Sequence, residues 1–376
     1  MGADRNGGGG TEERDRFIDF VRALSLLVVV MWHWVFTILL WRDDGPHASN
    51  PIGFTRGLFV ATWLLQVMPL FFFVGGHAHT VAWRRAQARK ATLWSFALGR
   101  IRQLLVPALA LLGVWVVLGL IVTKAEDVTW MWRAVRLVVS PLWFLAVYAL
   151  LIALFPIVHR LHERFGGLVL VWMTGLAGLV DVLRFSQHIQ WVGWFNMILV
   201  WGLCHQLGFF YADLKDRPRR WAAMMAWSGL FALFGLVASG LYPGSMVGVP
   251  GERFSNMAPP TLCIAALVCF QAGVALLIRP WVLARLTTRP RWARVNEVVN
   301  RFSMPLFLFH TTGMALSRFV GWLILRRIGS RQPDVGWWLT RPVAWVGPLL
   351  WTLPVVWLFG RTPLGRRRGA AEVSST

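Results

Sequence analysis

The chain has 376 residues, of which 56% are hydrophobic and only 15% charged, and 24 of them are tryptophan. With a mean hydropathy of +0.55, this composition excludes an ordinary soluble globular protein and predicts a polytopic integral membrane protein. The net charge of +21 does not indicate a nucleic-acid partner, because the basic residues sort by their position between apolar segments.

Apolar runs long enough to cross a hydrocarbon core recur along almost the whole sequence, with polar or arginine-rich breaks between them. The run at 28–41 does not alternate apolar and polar residues as a barrel strand would, so the pattern predicts an all-α fold. We expect about ten spans, near residues 17–41, 57–82, 94–122, 137–157, 166–182, 189–211, 219–241, 259–278, 302–325 and 343–360.

The same pattern predicts three regions: a polar cytoplasmic tail at 1–16, a transmembrane domain at 17–360 and a basic cytoplasmic tail at 361–376. The tails and even-numbered loops hold 25 lysines and arginines, against 11 in the odd-numbered loops, which predicts that both termini are cytoplasmic. The basic loop 326–334 is on the wrong side of this scheme. Residues 1–16 lack the pattern of a cleaved signal peptide.

The first predicted helix carries a polar stripe. A helix advances about 100° per residue, so Arg22 and His33, eleven residues apart, share a face and lie about 16 Å apart along the axis. Asp19, three residues before Arg22, places a carboxylate beside the guanidinium. If the span starts near Phe17, His33 lies near the membrane midplane, where it is either a general base or a hydrogen-bonded structural histidine.

The segment "RFIDFVRALSLLVVVMWHW" at 16–34 resembles the opening helix of the membrane acyltransferase-3 family, in which an arginine, ten residues and a histidine form a hallmark. Four further segments resemble the family in the same order: "MPLFFFVGGHAHTVAW" at 68–83, "FALGRIRQLLVPAL" at 96–109, "PLWFLAVYALLIALFP" at 141–156 and "RFSMPLFLFHTT" at 301–312.

Two motifs depart from the family pattern. The third helix often has two arginines three residues apart, whereas Gln103 follows Arg100 at that spacing here, with Arg102 between them. Many members have Glu-Glu-Gln after the Leu-Trp segment, where this chain has Tyr148, Ala149 and Leu150. The arginine pair that would bind the donor is therefore open at this point.

The resemblance implies an O-acyltransferase of the plasma or inner membrane. It would move an acyl group, such as acetyl, from acyl-CoA to a hydroxyl of a carbohydrate, glycolipid or secreted metabolite. His33 would be the base, with Arg22 and Asp19 beside it. The donor's phosphates require a basic cytoplasmic mouth, for which we expect the side chains Arg84, Arg85, Arg100 and Arg102.

On the acceptor side, we expect His310, Trp143 and Asn256 to contact the substrate, the last from the turn-rich loop 242–261. Glu252, Arg253 and Ser255 in the same loop are further candidates, although loops before helices often have this composition. We expect no metal, disulfide or zinc site, since Cys204, Cys263 and Cys269 lie in spans without paired spacing.

Other interpretations stay open. The arginines near residue 84 also suit topology and anionic lipid, and His77 and His79 suit interfacial structure beside a Gly-Gly turn. A proton-coupled transporter or flippase could use Asp19, Arg22 and His33 as a proton relay. A non-catalytic sensor or scaffold would not need these residues in helical register.

Overall fold

The computed structural model describes residues 15–42, 44–126, 130–325 and 333–361. Helices make up most of this part of the chain. Residues 1–14 of the polar tail, nearly all of the basic loop 326–334 and all but the first residue of the tail 361–376 lie outside the described residues. The predictions for those segments stay predictions.

The described chain begins with helix α1 (Arg16–Phe36) and two antiparallel strands, β1 (Ile38–Arg42) and β2 (Gly45–Ser49). The helices that follow are α2 (Thr62–Leu65), α3 (Met68–Ala88), α4 (Leu93–Glu126), α5 (Met131–Val139), α6 (Leu142–Phe165), α7 (Leu168–Phe185), α8 (Asn196–Phe209), α9 (Tyr211–Leu214), α10 (Arg219–Ala238), α11 (Leu262–Thr288), α12 (Pro290–Arg301), α13 (Ser303–Leu325), α14 (Val335–Leu339) and α15 (Val346–Arg361). Short 3-10 segments lie at Pro51–Gly53, Leu58–Ala61, Gln190–Phe195 and Arg341–Val343.

Eight helical stretches of the described chain are long and apolar enough to cross a membrane: 16–36, 58–88, 93–124, 142–165, 168–185, 219–238, 262–288 and 335–359. The prediction of an all-α polytopic membrane protein is confirmed. The two other predicted spans, 189–211 and 302–325, are also largely helical. However, α8 has only 14 residues, and α13 carries polar side chains, so the count of ten stays a prediction.

The outward faces of these helices are apolar, as a lipid-facing surface requires. Leu98 and Val114 on α4 are 68% and 65% exposed, and Phe231 on α10 is 67% exposed. In a soluble protein most such side chains would be buried, whereas here they contact the hydrocarbon of the bilayer.

The first span differs from its prediction. The sequence predicts helix to residue 41, but α1 ends at Phe36 and β1 begins at Ile38. Strand β1 pairs with β2 so that Arg42 opposes Gly45, and Gly45 has φ +113°, a conformation that glycine adopts readily. An apolar run has the same composition in a buried strand as in a helix, so only the pairing distinguishes them. His33 therefore lies in the last turn of α1.

Helices α3 and α8 pack backbone to backbone through two glycines. A methyl group at Gly76 would overlap the carbonyl oxygen of His205, and one at Gly208 would overlap the carbonyl oxygen of Phe73. Small residues allow this close approach between membrane helices. The contact brings the histidines of the two helices together.

Candidate functional site

Arg22 has partners on two helices. Its Nη2 donates to Asp19 Oδ1 at 3.0 Å, and its Nε donates to Asn300 Oδ1 at 2.7 Å. Asn300, on α12, donates in return from Nδ2 to the Asp19 carbonyl oxygen at 2.9 Å. The predicted Asp19–Arg22 pair is thus present in the structure, whereas Asn300 was missed because it lies 278 residues from Arg22 in the chain.

His33 lies against His310 of α13. His33 Nδ1 and His310 Nε2 are 3.1 Å apart, and the ring centroids are 5.0 Å apart. His310 Nδ1 lies 2.7 Å from the carbonyl oxygen of Phe307, which can only accept, so this nitrogen carries the hydrogen. In the neutral pair, His310 Nε2 must then accept from His33 Nδ1, and His33 Nε2 keeps its lone pair.

These two contacts define two levels of one site. Arg22 meets Asn300 at the first level, and His33 meets His310 at the second. Arg22 and His33 are eleven residues apart on α1, which corresponds to about 16 Å along the helix, and Asn300 comes before His310 in the chain. The α12–α13 segment therefore follows α1 in the same direction, and the polar stripe of α1 faces it.

The position of His310 is fixed by bonds from its neighbours. His310 is fully buried, and its carbonyl oxygen accepts from Trp34 Nε1 at 2.8 Å. Next to it, Thr311 Oγ1 donates to the carbonyl oxygen of Val138 at 2.8 Å, and Thr312 Oγ1 accepts from Trp115 Nε1 at 3.1 Å. Helices α1, α4 and α5 thus hold this turn of α13, which keeps the histidine pair rigid.

Arg100 and Arg102 lie on different faces of α4, because residues two apart on a helix point about 200° apart. The Arg100 guanidinium lies over the Phe96 ring, 5.5 Å from its centroid. The charge of Arg100 acts on both Tyr148 and His79, and the charge of Arg22 also acts on Tyr148. Arg100 therefore belongs to the same electrostatic environment as Arg22.

Arg102, Arg84 and Arg85 are exposed, as is Arg100. Arg84 and Arg85 lie in the last turns of α3, close in sequence to the start of α4. Their positions suit an outer basic surface, and their predicted contact with the donor stays a prediction.

A second histidine pair lies between α3 and α8. His79 Nδ1 and His205 Nε2 are 2.9 Å apart, and the Tyr148 hydroxyl lies 3.4 Å from His79 Nε2. Both histidines are buried between the helices, because the glycine contact at Gly76 draws α8 over this face of α3. The expectation that His79 serves interfacial structure stays a prediction. A histidine inside an apolar run was the available signal for His205.

Trp143 and Asn256 have different surroundings. Trp143 is half-buried, with its ring 5.9 Å from that of Trp201. Asn256 is fully buried, donates to the carbonyl oxygens of Pro243 and Ser245, and accepts from Thr261 Oγ1 at 2.7 Å. These bonds hold the loop 242–261 in place, and the predicted contacts of Trp143 and Asn256 with the acceptor stay predictions.

Asp181 is the buried acid at the opposite end of the bundle from the basic α3–α4 connection. It accepts from Asn196 Nδ2 at 2.9 Å, from the backbone nitrogen of Leu262 at 2.9 Å and from the Tyr242 hydroxyl at 3.2 Å. Burial and the neighbouring carboxylate raise the pKa of Tyr242, so its hydroxyl stays a donor at neutral pH. Asp181 is thus a well-satisfied structural acid.

Comparison with known proteins gives a family match. The model of the acyltransferase-3 family, described as an acyltransferase domain, matches residues 15–361. This range contains both histidine pairs and every described arginine of the proposed site. No curated protein and no solved structure matches the chain.

Proposed function

The chain belongs to the acyltransferase-3 family of membrane acyltransferases, and from this membership we propose that it transfers an acyl group from acyl-CoA to a hydroxyl of a carbohydrate-bearing acceptor. The observation that carries the proposal is the His33–His310 pair. His33 lies on the same face of α1 as Arg22, about 16 Å from it along the helix axis. A histidine that can accept a proton and an arginine that can bind phosphate thus lie on one stripe of α1.

In the proposed reaction, His33 is the general base. Its Nε2 takes the proton of the acceptor hydroxyl as the oxygen attacks the thioester carbonyl, because a free hydroxyl is too weak a nucleophile. The C–O bond forms, the C–S bond breaks, and the imidazolium returns the proton to the departing thiolate. His310 Nε2 accepts from His33 Nδ1 throughout, which fixes the ring and stabilises its charged form.

The phosphates of the acyl-CoA donor would bind at the level of Arg22. Arg22 is 32% exposed at its side chain and already oriented by Asp19 and Asn300, and Arg100 shares its electrostatic environment. Guanidinium groups bind phosphate oxygens through charge-assisted hydrogen bonds. We infer that the pantetheine arm runs along α1 from this level to His33.

The transporter alternative is less well supported. A proton relay through the bundle requires further acids that can load and release protons. Asp181 is a buried acid within a span, and its three accepted hydrogen bonds suit a fixed structural part.

The test uses purified full-length protein in nanodiscs with radiolabelled acetyl-CoA and candidate glycans. We expect His33→Ala to lower kcat by roughly 10²–10⁴-fold, the usual contribution of a general base, while acetyl-CoA binding persists. His188→Asn is the matched control, because His188 is exposed and its positive φ suits asparagine. Equal transfer by His33→Ala would remove His33 as the base, and absence of acetyl-CoA binding by wild type would favour the transporter.

A further inference from the structure

A cavity of about 510 Å³ opens between the end of α7, the 3-10 segment Gln190–Phe195 and the loop 248–259. This volume is in the range of small-ligand sites. The charge pattern of the sequence predicts that this end of the bundle is non-cytoplasmic. No residue of the histidine pairs lines it.

Two guanidinium groups stand at the cavity wall. Arg184 and Arg253 both lie over the ring of Phe254, 5.5 Å and 5.0 Å from its centroid. Phe254 thus contacts both guanidinium groups, and two like charges at one ring favour an anion beside them. The acid in the lining is Glu252, so the described charged groups of the cavity leave an excess of one positive charge.

Arg184 is the more informative of the two arginines. It is only 4% exposed, and Nη1 donates to the carbonyl oxygen of Pro259 at 3.3 Å. Its Nε has no hydrogen-bond partner within the described chain. Asp181, the nearby acid, already accepts three hydrogen bonds from other groups. The charge of Asp181 and the rings of Phe185 and Phe254 offset part of the cost of burying this guanidinium, and an anion in the cavity would offset more of that cost.

Neutral polar groups complete the lining. Gln190 donates from Nε2 to the carbonyl oxygen of Arg184 at 3.1 Å, which leaves its amide oxygen as an acceptor. Ser255 Oγ accepts from the backbone nitrogen of Met257 at 3.1 Å, so its hydroxyl hydrogen can donate. A hydrogen-bond donor and a hydrogen-bond acceptor beside two cations match a molecule that carries both hydroxyl groups and an anionic group.

We propose that this cavity binds a saccharide bearing a carboxylate or phosphate group, through Arg184 and Arg253. That the bound saccharide is the acyl acceptor rests on the proposed function. The binding itself does not require that function and can be measured without an acyl donor.

The binding experiment uses full-length protein in phosphatidylcholine nanodiscs and three probes: trigalacturonate, its uncharged methyl ester and glucose 6-phosphate. We expect the charged probes to bind and the ester to bind roughly tenfold more weakly or worse, because a charge-assisted hydrogen bond is lost. The tighter of the two charged probes identifies the anionic group. Equal binding of acid and ester overturns the inference, as does displacement of both charged probes by phosphatidylglycerol, which would assign the cavity to a lipid headgroup.

Variants at exposed positions keep the test independent of folding. Arg253→Gln should weaken trigalacturonate binding roughly tenfold, and Glu252→Gln should strengthen it by removing a repelling charge. Arg136→Gln is the control: it makes the same charge change at an exposed residue of α5 outside the cavity. Unchanged binding by Arg253→Gln, or equal weakening by Arg136→Gln, overturns the inference.

Acyl transfer is then assayed separately. If the charged probes bind but neither they nor any glycan is acylated, the proposed function is wrong. The inference about the cavity is then still supported. If Arg253→Gln does not change the rate of acyl transfer to any acceptor, the proposed function is still supported. The cavity is then excluded as the acceptor site.

Discussion

His33 Nδ1 lies 3.1 Å from His310 Nε2, although 277 residues separate the two histidines in the chain. His310 is in turn oriented by the carbonyl oxygen of Phe307. The pair therefore has a defined order of donors and acceptors, which ends at Nε2 of His33.

The first prediction concerns His310 as a positioning residue. We expect His310→Ala to lower kcat by roughly 10- to 100-fold, less than removal of the base itself, with KM for acyl-CoA nearly unchanged. His310→Gln should recover part of the loss, because its amide oxygen can accept from His33 Nδ1. Steady-state kinetics of the two variants check this; equal losses in both, or a change confined to KM, would contradict a positioning role.

Asn300 provides the second prediction. It holds Arg22 at 2.7 Å and has no part in the proton transfer. We expect Asn300→Ala to raise KM for acyl-CoA roughly tenfold, because a hydrogen bond to a charged group contributes about 1.5–3 kcal/mol. Asn300→Asp, which keeps an acceptor for the guanidinium, should raise it less. Titration of acyl-CoA against both variants decides the matter, and an unchanged KM in Asn300→Ala would count against Arg22 as a donor ligand.

The two candidate donor arginines of α4 can be separated in the same way. We expect Arg100→Gln to weaken acyl-CoA binding more than Arg102→Gln, since the charge of Arg100 acts on Tyr148 and His79 within the bundle. The two substitutions remove the same charge from the same helix, so each controls for the other. Equilibrium binding of acyl-CoA is the measurement, and the reverse order would assign the donor to the outer surface.

The contact between α3 and α8 predicts a stability effect. Gly76→Ala should destabilise the protein by about 1–3 kcal/mol or more, because the new methyl group would overlap the carbonyl oxygen of His205. Gly99→Ala is the matched control, since nothing lies within 4 Å of its added Cβ, and it should be neutral or slightly stabilising. Apparent unfolding temperatures in one detergent at one scan rate compare them; similar midpoints would mean that the helices do not meet so closely.

The turn between β1 and β2 predicts that the stability of this hairpin depends on pH. The hydrogen bond to His47, with the charge of Arg133, lowers the pKa of Asp44. A carboxylate with a depressed pKa in the folded state contributes stability that is complete above its unfolded pKa and is lost as pH falls through the folded value. Wild type should therefore protect the hairpin amides from hydrogen exchange better than Asp44→Asn at neutral pH. The difference should be small, since Asp44 is exposed, and should vanish in acid; a difference independent of pH would exclude the carboxylate.

Much of the molecule was predictable from local patterns. Apolar runs identify the spans, and helical periodicity places Asp19, Arg22 and His33 on one face, because both depend on residues close together in sequence. The family-like segments likewise lie in single helices. The end of α1 at Phe36 was not predictable, since an apolar run has the same composition whether it continues the helix or pairs as a strand.

The partners of these residues depend on packing between distant segments. Asn300 for Arg22, His310 for His33 and His205 for His79 are each more than 100 residues away in the chain. The sequence alone determined that this is a helical membrane protein with a polar stripe on its first helix. Only the tertiary structure decided what the stripe faces and where charge collects around Arg184, because close contacts such as that at Gly76 select which helices become neighbours.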